Sequence, residues 1–209
     1  MSIVFYEAPM SSATPVAWAL AELDLPHRRV RLDLAAGDQK KPEYLQLNPN
    51  GRVPLLVIDG QPLFEGLAII QWLGDVHGVE RGLWPRAGTP ERFAALSWST
   101  WAYVSYNAVV QRLLFASGER VPEEMRSPAQ AELARRDLAW YLAALDGTLA
   151  TRPYVAGDTF TLADVMVASV LGYGTFIGAS LDAAPHVVAW IGRCQDRPAY
   201  RKTWFEGTP

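Results

Sequence analysis

The sequence predicts an α/β N-terminal domain of βαβαββα order followed by an all-helical domain, and three observations carry that expectation. Short apolar runs alternate with helical patterns up to residue 78. Asp59-Gly60 separates two such runs, a tight-hairpin signal. Beyond residue 88 the apolar period is helical throughout, with breaks at Gly and Pro.

Residues 3 to 6, Ile-Val-Phe-Tyr, read as a short apolar strand. Thr14-Pro15 supplies an N-cap and a proline at the first helical position, where a missing N–H costs nothing, and opens a helix through Leu23. Residues 27 to 32 alternate as a half-buried strand does, and residues 42 to 47 form one short helix before the Asn-Pro-Asn-Gly turn at 48 to 51. Residues 54 to 58 are a continuous apolar strand, 62 to 64 return from the hairpin, and 65 to 75 form a helix. Past Gly78, Leu83-Trp84-Pro85 leads to Thr89-Pro90, a second cap-and-proline start. The expected organisation is a first domain over 1–78, a linker over 79–88 and an all-helical domain over 89–209, broken at 118–128, 147–157, 178–185 and 197–198.

A chain of 209 residues, 50% hydrophobic and 20% charged, can bury a core, which excludes general disorder. Nineteen basic against 22 acidic residues, a net charge of −3, leave no basic footprint, so neither nucleic acid nor membrane is an expected partner. The longest apolar runs fall far short of the roughly 20 residues of a membrane span, and no basic segment precedes the first strand. A soluble, unprocessed, cytoplasmic protein is expected. Cys194 is the single cysteine, which excludes an intrachain disulfide, a Cys-x-x-Cys pair and a thiolate zinc site. His27, His77 and His186 lack ligand spacing, so no metal site is expected.

Three ordered blocks carry a resemblance. They are Leu47-Asn48-Pro49-Asn50-Gly51-Arg52-Val53-Pro54-Leu55-Leu56, then Leu63-Phe64-Glu65-Gly66-Leu67-Ala68-Ile69-Ile70-Gln71-Trp72-Leu73, and Pro153-Tyr154-Val155-Ala156-Gly157-Asp158 through Thr161-Leu162-Ala163-Asp164. In this order and spacing they resemble the cytosolic glutathione S-transferase family, bacterial beta-like overall with a theta- or phi-like serine in the active-site loop. The resemblance covers nearly the whole chain and implies a thioredoxin-like glutathione-binding domain, a helical domain lining an electrophile pocket, and a homodimer. It also implies a cis Val53-Pro54 bond that leaves the Val53 backbone to pair with an extended peptide.

Glutathione presents two carboxylates and a thiol, and each needs a different device. Glu65-Gly66 opens a helix whose free N–H groups and positive dipole end suit the γ-glutamyl carboxylate. Gly66 departs from the serine common in the family, yet still offers its N–H. Lys40 stands where theta- and phi-like members hold the glycine carboxylate, and Arg52 reaches the same end. For the thiol, the loop between the first strand and helix carries Ser11 and Ser12 where the family puts its activating residue. Ser11 is the first choice and Ser12 the alternative, because matching the following helix needs a one-residue gap. Lowering a thiol pKa from ~8.5 to ~6.5 takes about 2.7 kcal/mol, within reach of one charge-assisted hydrogen bond plus a helix dipole. The family's loop cysteine and pocket histidine are replaced by Ser11 and Asn107, which favours thiolate activation over thiol exchange.

On the long helix Trp98, Trp101, Tyr103, Tyr106 and Asn107 share or neighbour one face at helical spacing. Tyr103, Tyr106 and Asn107 are the pocket candidates, because their polar tips need partners, and Met10 supplies an adaptable apolar wall. Thr161-x-x-Asp164 reads as a capping box with Phe160 as its staple, a structural motif worth about 0.5–2 kcal/mol. The resemblance thus implies a glutathione transferase that directs a glutathione thiolate at small hydrophobic electrophiles. Two alternatives stand beside it: a glutathione-dependent isomerase, dehalogenase or etherase, and a noncatalytic relative that binds ligands or partner proteins.

Overall fold

The structure, a computed structural model, describes residues 1–119 and 121–203; residues 204–209 of the expected helical domain lie outside the described residues. The chain divides into two compact units, Met1–Trp84 with the segment from Asp196, and Pro85–Gln195.

The first unit runs β1 (Ile3–Glu7), α1 (Thr14–Glu22), β2 (Arg28–Arg31), α2 (Pro42–Leu45), β3 (Leu55–Ile58), β4 (Gln61–Phe64) and α3 (Gly66–Leu73), the expected βαβαββα order. The sheet order is β2-β1-β3-β4, with β2 parallel to β1 and the other pairs antiparallel. A parallel pair needs a crossover, which α1 supplies, whereas the two-residue Asp59-Gly60 turn suffices for β3 and β4. Ile3, Phe5 and Glu7 alternate into the buried face of β1, and Val16, Trp18, Ala19 and Leu20 of α1 with Ile69, Ile70 and Leu73 of α3 complete this core.

Three details differ from the expected first domain. Ala13, not Thr14, is the N-cap of α1, and the hydroxyl that accepts an N–H there belongs to Ser11, 3.1 Å from the Ala13 nitrogen. The end of α3 widens into a π-helical turn over Gly74–Gly78. Trp84 is buried over it, and a Cβ on Gly74 would lie 2.6 Å from the indole, so only glycine admits this contact. Trp84 Nε1 also donates to Asp75 at 2.9 Å. Residues 79–84 of the expected linker therefore cluster with the first unit, anchored by the buried Trp84. Finally, the segment from Asp196 clusters with the first unit and not with the helices that precede it. The reason is a long-range pairing: Arg197 grips Glu22 of α1 through two hydrogen bonds of 2.7 Å, and Tyr200 packs edge-on against Trp18 at 5.0 Å.

The second unit is helical: α4 (Pro90–Thr100), a π-helical segment over Trp101–Tyr106, α5 (Asn107–Ser117), α6 (Pro128–Leu149), α7 (Leu162–Phe176) and α8 (Pro185–Gln195). α9 (Pro198–Arg201) belongs to the first unit. Thr89 and Ser127 accept N–H bonds at the starts of α4 and α6. α7 is apolar and buried nearly all round, as a central helix must be, and the Thr161/Asp164 capping box opens it. Among the described residues no helix is long and apolar enough to cross a membrane.

Candidate active site

The sheet register brings three loops of the first unit together. Tyr6 lies opposite Leu55, and Leu55 opposite Phe64. The end of β1, the start of β3 and the end of β4 are therefore neighbours. Continuing both ladders by one residue sets the β1–α1 loop, the Val53-Pro54 bond and Glu65 side by side. The Val53-Pro54 peptide is cis.

Both serines of the β1–α1 loop are hydrogen-bonded to backbone. Ser11 donates to the Ala8 carbonyl at 2.6 Å and accepts from Ala13 N, closing a local turn at the amino end of α1. Ser12 reaches across and donates to the Val53 carbonyl at 2.7 Å. The Val53 carbonyl, expected to await a peptide, thus already accepts one bond, and one of its two lone-pair directions remains. The Ser11 hydroxyl is the better-prepared donor, because accepting an N–H polarises its own O–H. Met10 precedes it with positive φ (51°) and a mostly exposed side chain.

The 48–52 turn is organised by residues that the sequence marks only as local structure. Asn48 is buried; its amide donates to the Arg52 carbonyl at 2.7 Å and its Oδ1 accepts from Asn50 N at 3.1 Å. The Tyr44 hydroxyl donates to the same Arg52 carbonyl at 2.6 Å, and burial pushes its pKa up to about 12, keeping it a donor. Tyr6 packs edge-on against Tyr44 at 5.7 Å, so it serves as a packing residue. The Arg52 backbone is pinned while its side chain is exposed. Lys40 Nζ lies 3.5 Å from the Asn50 carbonyl, and a Cβ on Gly51, itself at φ +58°, would come within 2.8 Å of that nitrogen. Lys40, Asn50 and Gly51 thus occupy one place. Beside them Gln39 Oε1 is buried without a hydrogen-bond partner while Nε2 donates to Leu34; no local pattern marked this residue.

Glu65 holds φ +71° and ψ 117° without a side-chain cap, a backbone strained by about 1–3 kcal/mol of the kind that clusters at ligand clamps. Gly66 begins α3 behind it, and the first N–H groups of any helix lack intrahelical partners. At the end of β1, Glu7 is buried and takes Arg29 at 3.0 Å and Arg31 at 3.5 Å. Nothing local in the sequence announced that pairing, because it depends on the β1–β2 register.

In the helical unit the candidates separate. Tyr103 is partly exposed, and Asn107 accepts from Gln111 Nε2 at 3.4 Å. Tyr106 corrects the expectation: it is fully buried, stacked against Trp101 at 5.3 Å, with its hydroxyl unpartnered among the described residues and its pKa raised to about 12 by burial. It packs toward Val110 and Gly174, whose missing Cβ leaves room for the phenol. The cause is its place on the helix: Ala95, Ser99, Ala102, Tyr106, Val110 and Leu113 are all buried at successive spacings of three or four, so Tyr106 falls on the core stripe. Cys194 is buried.

The N-terminal domain family of glutathione S-transferases matches residues 10–76, and the C-terminal domain family matches residues 103–198. A glutathione S-transferase of Hyoscyamus muticus is 32% identical over 190 residues, covering 88% of each chain. One from Escherichia coli K12 is 31% identical over 191 residues, covering 90% of this chain and 89% of that one. Among solved structures, a theta class glutathione S-transferase from Xanthomonas axonopodis pv. citri, with glutathione bound, superposes with a TM-score of 0.84 at 28% identity over 98% of this chain and 97% of that one. A glutathione transferase from Phanerochaete chrysosporium, in complex with oxidized glutathione, reaches 0.86 at 27% over 98% and 96%.

Proposed function

We propose, since this chain belongs to the glutathione S-transferase family, that Ser11 holds the glutathione thiol as thiolate for attack on a small hydrophobic electrophile. The chain is a glutathione transferase with a thioredoxin-like first unit, and glutathione is its co-substrate. The observation that carries the proposal is the Ser11 hydroxyl, polarised by the Ala13 N–H at the start of α1, in the loop whose next residue, Ser12, bonds the Val53 carbonyl.

In this reading the peptide of glutathione runs along Val53 and Pro54. The γ-glutamyl carboxylate meets the Gly66 N–H behind the strained Glu65, and Lys40 with Arg52 takes the glycine carboxylate. The Ser11 hydroxyl turns from the Ala8 carbonyl to the sulfur, a rotation about one side-chain bond. The thiol releases its proton to water, and the sulfur lone pair forms the bond to carbon as the leaving group departs with its electrons. Isomerisation, dehalogenation and ether cleavage begin from the same thiolate. Tyr103 and Asn107 are the residues of the helical unit we assign to electrophile contact, and Tyr106 packs the helix that carries them. Calorimetric titration with glutathione, paired with an ultraviolet pH titration of the bound thiolate, tests the proposal. Saturable binding with a lowered thiol pKa is expected, and absence of binding would sink it.

Gly51→Ala should displace Lys40 and strain the turn, lowering stability by about 1–3 kcal/mol and weakening glutathione binding more than it slows turnover of bound glutathione. Thermal denaturation and calorimetry read the two effects separately. We also propose a cytoplasmic homodimer. Phe93, Phe115 and Trp140 of the helical unit stay largely exposed, which supports an association surface. Sedimentation equilibrium at micromolar concentration should give twice the monomer mass, and a monomer would refute it.

A further inference from the structure

We propose that Arg197 is a positioning residue for glutathione activation: by neutralising Glu22 at the carboxyl end of α1, it preserves that helix's dipole for the thiolate at the amino end. The inference rests on the reading that the thiol lies beside Ser11. It goes beyond that reading by assigning a role to the chain's returning segment.

The pairing is built with care. Arg197 Nε and Nη2 donate to the two oxygens of Glu22, each at 2.7 Å, across 175 residues of sequence. The Glu22 side chain is 5% exposed, and its Oε1 also accepts from Trp18 Nε1 at 2.9 Å. Tyr200, three residues past Arg197, packs on the same Trp18. A bidentate guanidinium on a buried carboxylate is a geometry that fixes position as well as charge.

Its place on α1 gives the pairing reach. Glu22 is the sole charged residue of α1, whose sequence is Thr-Pro-Val-Ala-Trp-Ala-Leu-Ala-Glu. α3, packed against α1, carries none. α9, its other neighbour, brings Arg201, which pairs at 3.0 Å with Asp196, both well exposed. Asp24 lies beyond the helix end and is exposed to water. On the strand side, Glu7 is already matched by Arg29 and Arg31. An acid at a helix carboxyl end opposes the macrodipole. Unmatched, Glu22 would set a negative charge about 15 Å from the thiol, reckoned at ~1.5 Å per helical residue. Across effective dielectrics of about 20 to 80, that charge moves the thiol pKa by roughly 0.2–0.8 units.

The test is the pKa of bound glutathione, read from thiolate absorbance and from the pH profile of kcat/KM with an activated aryl chloride. R197Q leaves Glu22 unmatched and should raise the pKa by about 0.2–0.8 units; E22Q removes the negative charge itself and should lower it by a similar amount. The E22Q/R197Q pair should return to the parent value. Opposite signs are the signature, because a merely loosened helix would raise the pKa in all three variants. E22Q keeps an acceptor for Trp18 and tests the sign even where R197Q unfolds. Shifts of the same sign, or none, with the parent thiol still lowered would overturn the role of Arg197 alone. A parent thiol of ordinary pKa would overturn both this role and the Ser11 reading.

Discussion

Ser11→Ala is expected to cost roughly 50-fold in kcat at pH 6.5 with glutathione affinity largely kept. The magnitude follows from the thiol alone: a pKa returning from ~6.5 to ~8.5 takes the thiolate from about half to about one part in a hundred at that pH. The sign of the pH dependence is set in the same way. The loss is largest, about 100-fold, well below the lowered pKa, shrinks as pH rises between the two values, and falls under about 1.5-fold above about pH 9. Ser12→Ala should behave differently. Its hydroxyl ties the start of α1 to the Val53 carbonyl, so its removal loosens the surface on which glutathione lies and raises KM with little change in kcat. Steady-state kinetics over pH 6 to 9 separates the two, and a reversed pattern would move the thiol to Ser12.

Asp164→Ala should be the most destabilising single change in the helical unit. The sequence presents Asp164 as one half of a capping box, worth about 0.5–2 kcal/mol. The structure gives it four donors: Val155 N at 2.9 Å, Thr161 N at 2.8 Å, Thr161 Oγ1 at 3.1 Å and Trp190 Nε1 at 2.9 Å. Burial pushes its carboxyl pKa up, against the opposing pull of those donors. Alanine would strand two backbone N–H groups and one indole N–H in a dry interior, each costing about 1–3 kcal/mol, for a total of roughly 3–9 kcal/mol. At this chain length that is a fall in Tm on the order of 10 °C. Asp164→Asn should recover little, since its amide points donors at donors. A scan of melting temperature by circular dichroism decides it, and a shift under about 3 °C would show that those N–H groups find other partners.

Helix and strand order was readable because each boundary carries its own local signal. Thr89-Pro90 is both the written start and the observed cap, since the hydroxyl, the fixed proline φ and the N–H it satisfies lie within one turn. Asp59-Gly60 is equally self-contained. Thr14-Pro15 shows where locality ends: the same pair of residues follows two serines, and the nearer hydroxyl bond is made by Ser11 to Ala13. The aromatic helix shows a second limit. Polar tips and aromatic rings suggest a pocket face for Tyr106, but it lies on the stripe of Ala95, Ser99, Ala102, Val110 and Leu113, which is buried. The period shows which residues share a stripe, and what packs alongside decides which stripe is covered.

By itself the sequence determined the two-part architecture, the order of its elements, the hairpin, the capped helix starts and the blocks that identify the family. All of these are interactions among residues close in the chain, where identity and spacing are enough. Only the tertiary structure decided the partners of Ser12 and Glu7, the Val155 and Trp190 donors to Asp164, the burial of Tyr106, and the return of Arg197 to Glu22. Each of those joins groups whose distance along the chain says nothing of their distance in space. Their energies come from burial and from matching of charge or hydrogen bonds, which exist only once the sheet register and helix packing have been chosen.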